Sequence, residues 1–198
     1  MKSLQSGLLT IGVAMVCGGC AHPITISPDL AKIAPEATQP KIEKAVGYFI
    51  SDQNKALEVT TPGGGGDSAK YTPYADLESG LYRVLSNSFN SAYAIKDVKD
   101  LAFMQSKNIT WVFTPTITTT SSSRNNFFWP PTDFSVTIDC VATDSTQKEV
   151  WKTSVKADND VVAVKDLLKD FGQAGKSAAG KALLQLQGQL ISAPEFRK

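Results

Sequence analysis

Apolar residues recur at two different periods along this chain, and the change from one to the other predicts its architecture. From Pro73 onward, Leu77, Leu81, Val84, Leu85 and Phe89 repeat at helical spacing and make one apolar stripe. Thr72 is placed to cap this helix, Pro73 suits its first position, and Asp76 and Glu78 suit its positive end. Between Asp133 and Ala142 the period becomes two. Phe134, Val136, Ile138, Cys140 and Ala142 fall on one side, with Ser135, Thr137 and Asp139 on the other. One buried and one wet face is the antiparallel pattern. Thr143 to Lys148 reads as a turn, and Glu149 to Val155 as the returning strand of a hairpin.

Other segments follow the same logic. Ile109 to Thr119 is rich in β-branched and aromatic residues, with Trp111, Phe113 and Ile117 on one phase. Pro115 cannot donate to a ladder, which places this strand at an edge or bulge. Ala45 to Ile50 and Ser91 to Lys96 read as short strands, and Asp97 as the cap of a brief helix carrying Val98, Leu101 and Met104. The last long segment, Val161 to Ile191, predicts a helix broken near Gly172 or Gly175. Its stripe is Val164, Leu167, Leu168, Phe171, Ala178, Ala182, Leu183, Leu186 and Leu190. Together these elements predict an α+β fold: a mixed, largely antiparallel sheet with helices packed on it, as a single domain over residues 41–198. Ahead of it, residues 20–40 contain Pro23, Pro28, Pro35 and Pro40 and few large apolar residues, which predicts a proline-stiffened tether. Within it, Ile24-Thr25-Ile26 alternates well enough to add a short strand to a sheet edge.

The N-terminal pattern is of another kind. Lys2 is followed by an apolar run from Leu8 to Val16 and then by Gly18 and Gly19, the layout of an export signal. The run is shorter than the about 20 apolar residues that a membrane-spanning helix needs. Cys17-Gly18-Gly19-Cys20 resembles the lipobox of bacterial lipoproteins. Gly18, Gly19 and Cys20 match that motif, while Cys17 stands where the family prefers Leu. The resemblance implies that residues 1–19 are a signal peptide, that the Cys20 thiol carries diacylglycerol, and that its freed amine carries a third chain such as palmitate. Ala21, where an Asp would resemble an inner-membrane retention signal, implies an outer-membrane protein on the periplasmic side. The alternative from the same residues is ordinary cleavage after Ala21 and a soluble periplasmic product.

Composition then removes function classes. The 198-residue chain has 20 Lys+Arg against 19 Asp+Glu, a net charge of +1 that falls to zero when the segment bearing Lys2 is removed. No basic excess points to nucleic acid. Of the three cysteines, Cys17 leaves with the signal and Cys20 is acylated. Cys140, on the apolar phase of its strand, then reads as a small buried hydrophobe. The single histidine is His22, in the tether. That removes the Ser-His-Asp triad, the Cys-His pair and the usual zinc sites from the domain, so no metal and no cofactor are expected. The acid pairs Asp97 with Asp100 and Asp158 with Asp160 are explained by capping and turns.

Two loops remain as candidates for binding. Gly63-Gly64-Gly65-Gly66 lacks the Lys that ends a phosphate-cradling loop and offers Asp67 instead, so a flexible turn or partner-binding loop is expected. Phe127, Phe128 and Trp129, followed by Pro130 and Pro131, are the partner-binding candidates if exposed; folding back over the sheet end is the competing expectation. The order of elements resembles small Gram-negative envelope lipoproteins of the YajG, LpoB and CsgG kinds. It implies a non-catalytic adaptor or assembly factor for an envelope complex, held to the membrane through its lipid and bound to another envelope protein, with oligomers a further outcome. The alternatives are a ring-forming secretion or export component, or, less favoured, an envelope-glycan enzyme.

Overall fold

The computed structural model describes residues 20–35, 40–124 and 128–197; the signal segment and Phe127 lie outside them. In chain order its strands are Ala21–Pro23 (β1), Ile42–Phe49 (β2), Val59–Pro62 (β3), Ser68–Tyr71 (β4), Phe89–Ile95 (β5), Ile109–Ser122 (β6), Asp133–Thr143 (β7) and Glu149–Asp158 (β8). The helices are Asp52–Lys55 (α1), Pro73–Ser88 (α2), Leu101–Ser106 (α3), Val164–Leu167 (α4) and Gln173–Ser192 (α5). Five strands form one sheet in the order β5-β2-β6-β7-β8, and β1-β4-β3 form a small second sheet. Parallel pairing joins β2 to β5 and β6, and the long antiparallel ladders join β6 to β7 and β7 to β8. The chain is thus a single α+β domain with a mixed sheet.

Alternation decides which face of the large sheet is covered. Phe134, Val136, Ile138, Cys140 and Ala142 are all buried, while Asp139 between them is exposed. The covering layer is α2 and α5, which pack side by side. Leu77, Leu81, Val84 and Leu85 of α2 are buried, as are Ala178, Ala182, Leu183, Leu186 and Leu190 of α5. Each fully buried apolar side chain of leucine or valine size contributes about 1.5–3 kcal/mol. Burial pushes the Cys140 thiol up to about 12, so it packs as an inert hydrophobe.

Pro115 has a local explanation. The pairing of β2 with β6 runs only to Phe113, so the proline falls where β6 has become an edge. Two residues on, with its amide on the same side of the strand, Ile117 N–H donates to the Tyr74 hydroxyl at 3.1 Å. A proline is tolerated there because the missing donor would have faced away from β7.

The tether expected over residues 20–40 is corrected by the structure as far as residue 35. Ala21–Pro23 pairs in parallel with Ser68–Lys70, and Ile26 and Ile33 lie in the main core at 0% and 2% exposure. Asp76, at the start of α2, accepts from Ile26 N–H and from the Thr25 and Ser27 hydroxyls. Further along, buried Asn87 donates to the Ile33 carbonyl and to the Gln187 side chain, which in turn donates to the Ala34 carbonyl. Two buried isoleucines and a matched set of polar partners outweigh the proline content. A Cβ on Gly172 would lie 2.0 Å from the Thr25 carbonyl oxygen and one on Gly175 2.3 Å from Ile26, so glycine lets this segment lie against α5.

The break expected near Gly172 or Gly175 falls at Gly172, which caps α5. The stripe expected ahead of it is only partly buried. Leu167 is covered, whereas Val164, Leu168 and Phe171 are exposed. Among the described residues no helix is long and apolar enough to cross a membrane.

Candidate functional site

Cys20 is exposed, and its backbone is fixed by both of its polar groups. Its N–H donates to Asp67 Oδ1 at 3.0 Å, and its carbonyl accepts from Ser68 N–H at 2.9 Å. His22 Nε2 lies 3.1 Å from Asp67 Oδ2, so one carboxylate serves both residues. The His22 hydrogen bond, and secondly the one from Cys20, hold the Asp67 carboxyl below the usual carboxylate range. A carboxylate with two donors is stabilised as the anion, which selects the Nε2-protonated tautomer of His22.

Asp67 is delivered by the glycine-rich turn between β3 and β4. Gly65 and Gly66 have φ of 67° and 86°, a left-handed pair that side chains rarely adopt. The turn closes through Gly63 N–H to the Asp67 carbonyl at 2.9 Å. It also seats the aromatic loop, because Gly64 N–H donates to the Trp129 carbonyl at 2.9 Å. The Trp129 ring stacks on His22, with centroids 4.0 Å apart at 30°, and meets Phe171 edge-on at 4.8 Å. Cys20, the glycine turn, the aromatic loop and the segment before α5 therefore converge at one end of the molecule.

Of the three partner-binding candidates, Phe128 is partly buried against the main core and its carbonyl accepts from the Ser123 hydroxyl at 2.9 Å. Trp129 is half-buried between two rings, and Phe127 is outside the described residues. Phe128 and Trp129 thus fold back over the sheet end. The turn at Gly63–Gly66 is ordered by its contacts, a role its flexible composition does not announce. In the sequence, His22 and Asp67 serve only to set aside triads and phosphate loops, and Phe171 reads as core. The pairing of Asp67 with residues 45 and 47 positions away carries no local signal.

A polar cleft of about 300 Å³ lies at the same end of β6 and β7, and Asp133 and Asp158 both line it. Arg124 grips Asp133 through two nitrogens, and the Ser135 hydroxyl donates to Asp158. The guanidinium holds the Asp133 carboxyl below its ordinary value, the opposite of what a general acid at neutral pH needs. The other acids named from sequence have structural partners: Asp97 accepts from Lys99 N–H, Asp100 caps α3 at Phe103 N–H, and Asp160 pairs with Lys181. Among the described residues no group of three or more His, Cys, Asp or Glu is placed to hold a metal ion.

No family model matches the chain, and no curated protein matches it. Solved structures align with it at low identity. The PelC dodecamer from Paraburkholderia phytofirmans is 14% identical with a TM-score of 0.42, over 78% of this chain and 93% of that one. A leucine-to-methionine variant of the same dodecamer, in another crystal form, is 13% identical, also at 0.42, over 79% and 96%. A homolog of the neuraminyllactose-binding hemagglutinin from Helicobacter pylori is 10% identical at 0.42, over 79% and 88%.

Proposed function

We propose that this protein is a non-catalytic lipoprotein of the outer membrane, facing the periplasm, that serves as an adaptor or assembly factor for an envelope complex. The observation that carries the reading is the placement of Cys20: exposed, at one extreme of the fold, with its backbone clamped by Asp67 and Ser68. An acylated Cys20 keeps an N–H, so the Asp67 contact survives lipidation of its nitrogen. Three acyl chains hold a protein firmly where one holds it marginally. The domain then hangs from the bilayer by a fixed corner, and its far end is presented to the periplasm.

The test is crosslinking in intact cells followed by mass spectrometry, on the parent chain and on Cys20→Ser. The adaptor reading expects a defined envelope protein joined to the parent and lost from the variant, which is released from the membrane fraction. Crosslinks only between copies of this chain, in a large particle after detergent extraction, would favour a ring-forming component instead.

A further inference from the structure

Apolar side chains are left uncovered between the end of β8 and the start of α5. Val161 is 87%, Val164 59%, Leu168 58% and Phe171 38% exposed. Leu168 N–H bonds the Val164 carbonyl and Asp170 N–H the Asp166 carbonyl, each at 3.0 Å, so the helical turn of α4 continues to residue 170. Val164 and Leu168, at i and i+4, therefore lie on one side of it, and Phe171 follows just past its end. Leu167, 1% exposed and next to Leu168, fixes the segment to the core. Lys165 and Lys169 flank the stripe and are exposed.

The stripe runs into the Cys20 region through ring contacts. Phe171 meets Trp129, Trp129 stacks on His22, and His22 stands two residues from Cys20. Acyl chains leaving Cys20 therefore start alongside this apolar surface, and the membrane they enter lies within its reach. We propose that Val164, Leu168 and Phe171 sit in the interfacial zone of the bilayer. This rests on the lipidation of Cys20 proposed above. An apolar stripe flanked by lysines fits that zone: the apolar groups leave water while the ammonium groups reach the headgroups. A second copy of the chain is the less favoured occupant, because the bilayer is brought to this surface by the anchor itself. The consequence is a fixed orientation, with α3 and the start of β6 pointing away from the membrane.

The experiment uses the full chain, matured in a Gram-negative host, with Leu168→Cys. Cys20 is then acylated and Cys140 is 1% exposed, so position 168 is the reactive thiol for an environment-sensitive fluorophore. Leu101→Cys, 48% exposed on α3 at the opposite end of β6, is the reference. In phosphatidylethanolamine–phosphatidylglycerol vesicles, the expected result is blue-shifted emission at 168, quenched by lipids with nitroxide-labelled acyl chains, and water-like emission at 101. Water-like emission at 168 overturns the proposal. So does a blue shift that nitroxide lipids fail to quench, which would mean that protein covers the stripe. Labelling of Cys20 itself in the parent chain overturns the lipidation reading, and this proposal with it.

Discussion

Two aromatic clusters stand at opposite ends of β6, a strand of 14 residues and so about 45 Å long. At the first, Phe196 packs on Phe89, Trp111, Phe113 and Trp151 with centroids 5.0–5.6 Å apart. At the second, Trp129 packs on His22 and Phe171 at 4.0 and 4.8 Å. Ring spacing does not distinguish them, but their surroundings do. Phe89, Phe113 and Phe196 are 0–1% exposed, whereas Phe171 is 38% exposed and the chain beside it hangs on the Asp67 carboxylate. The first cluster is built on these three sealed rings, with Trp111 and Trp151 partly buried around them, and contributes to global stability. The second is a set of half-wet contacts that orient the Cys20 end with little effect on whether the domain folds.

The sharpest way to break this contrast is Phe196→Ala. Loss of a buried phenylalanine costs about 3–5 kcal/mol, read as a lowered denaturation midpoint with both ends unfolding together. Gly172→Ala ranks next. Its Cβ would strike the Thr25 carbonyl oxygen at 2.0 Å, and overpacking of this kind costs about 1–3 kcal/mol. Hydrogen exchange should then quicken at Ile24–Ile26 more than in β7. Trp129→Ala removes two half-exposed ring contacts and weakens the local attachment of the Cys20 end, not the fold as a whole, by about 1 kcal/mol. Amides of residues 20–22 should exchange faster while the melting temperature barely moves; an equal loss of global stability would erase the distinction between the ends.

The smallest effect is the acid response of Asp67. Its folded carboxyl titrates below the ordinary value of about 3.9. Its contribution is therefore complete above the ordinary carboxylate range and is lost as pH falls through the lowered folded value. Exchange protection at Cys20 should decline in that acid window, and Asp67→Asn should abolish the step while leaving the far aromatic cluster unchanged.

The same contrast explains what can be read from the residues. β7, β8, α2 and the latter part of α5 follow local periodicity, and each packs on a neighbour that periodicity implies. Phe196 escapes such a reading because a lone aromatic near a chain end has no period. The segment Ala21–Pro35 misleads because its prolines suggest an extended chain, while the two isoleucines that bury it are seven residues apart and their partners lie on α2 and α5. Val164, Leu168 and Phe171 mislead in the opposite direction. Val164 and Leu168 do sit one helical turn apart, but they face outward, and spacing alone cannot say what covers a stripe. At the Cys20 end, the Asp67 clamp and the His22–Trp129 stack join residues far apart in the chain, so no local pattern announces them.

The central claim is that Cys20 is where this protein meets its membrane. Intact-mass measurement of the native protein, extracted from the envelope fraction in detergent, tests it most directly. The account predicts a chain that starts at Cys20, lacks residues 1–19 and carries the added mass of a diacylglycerol and a third acyl chain. A chain with an unmodified thiol at Cys20, recovered from the aqueous fraction, would contradict it.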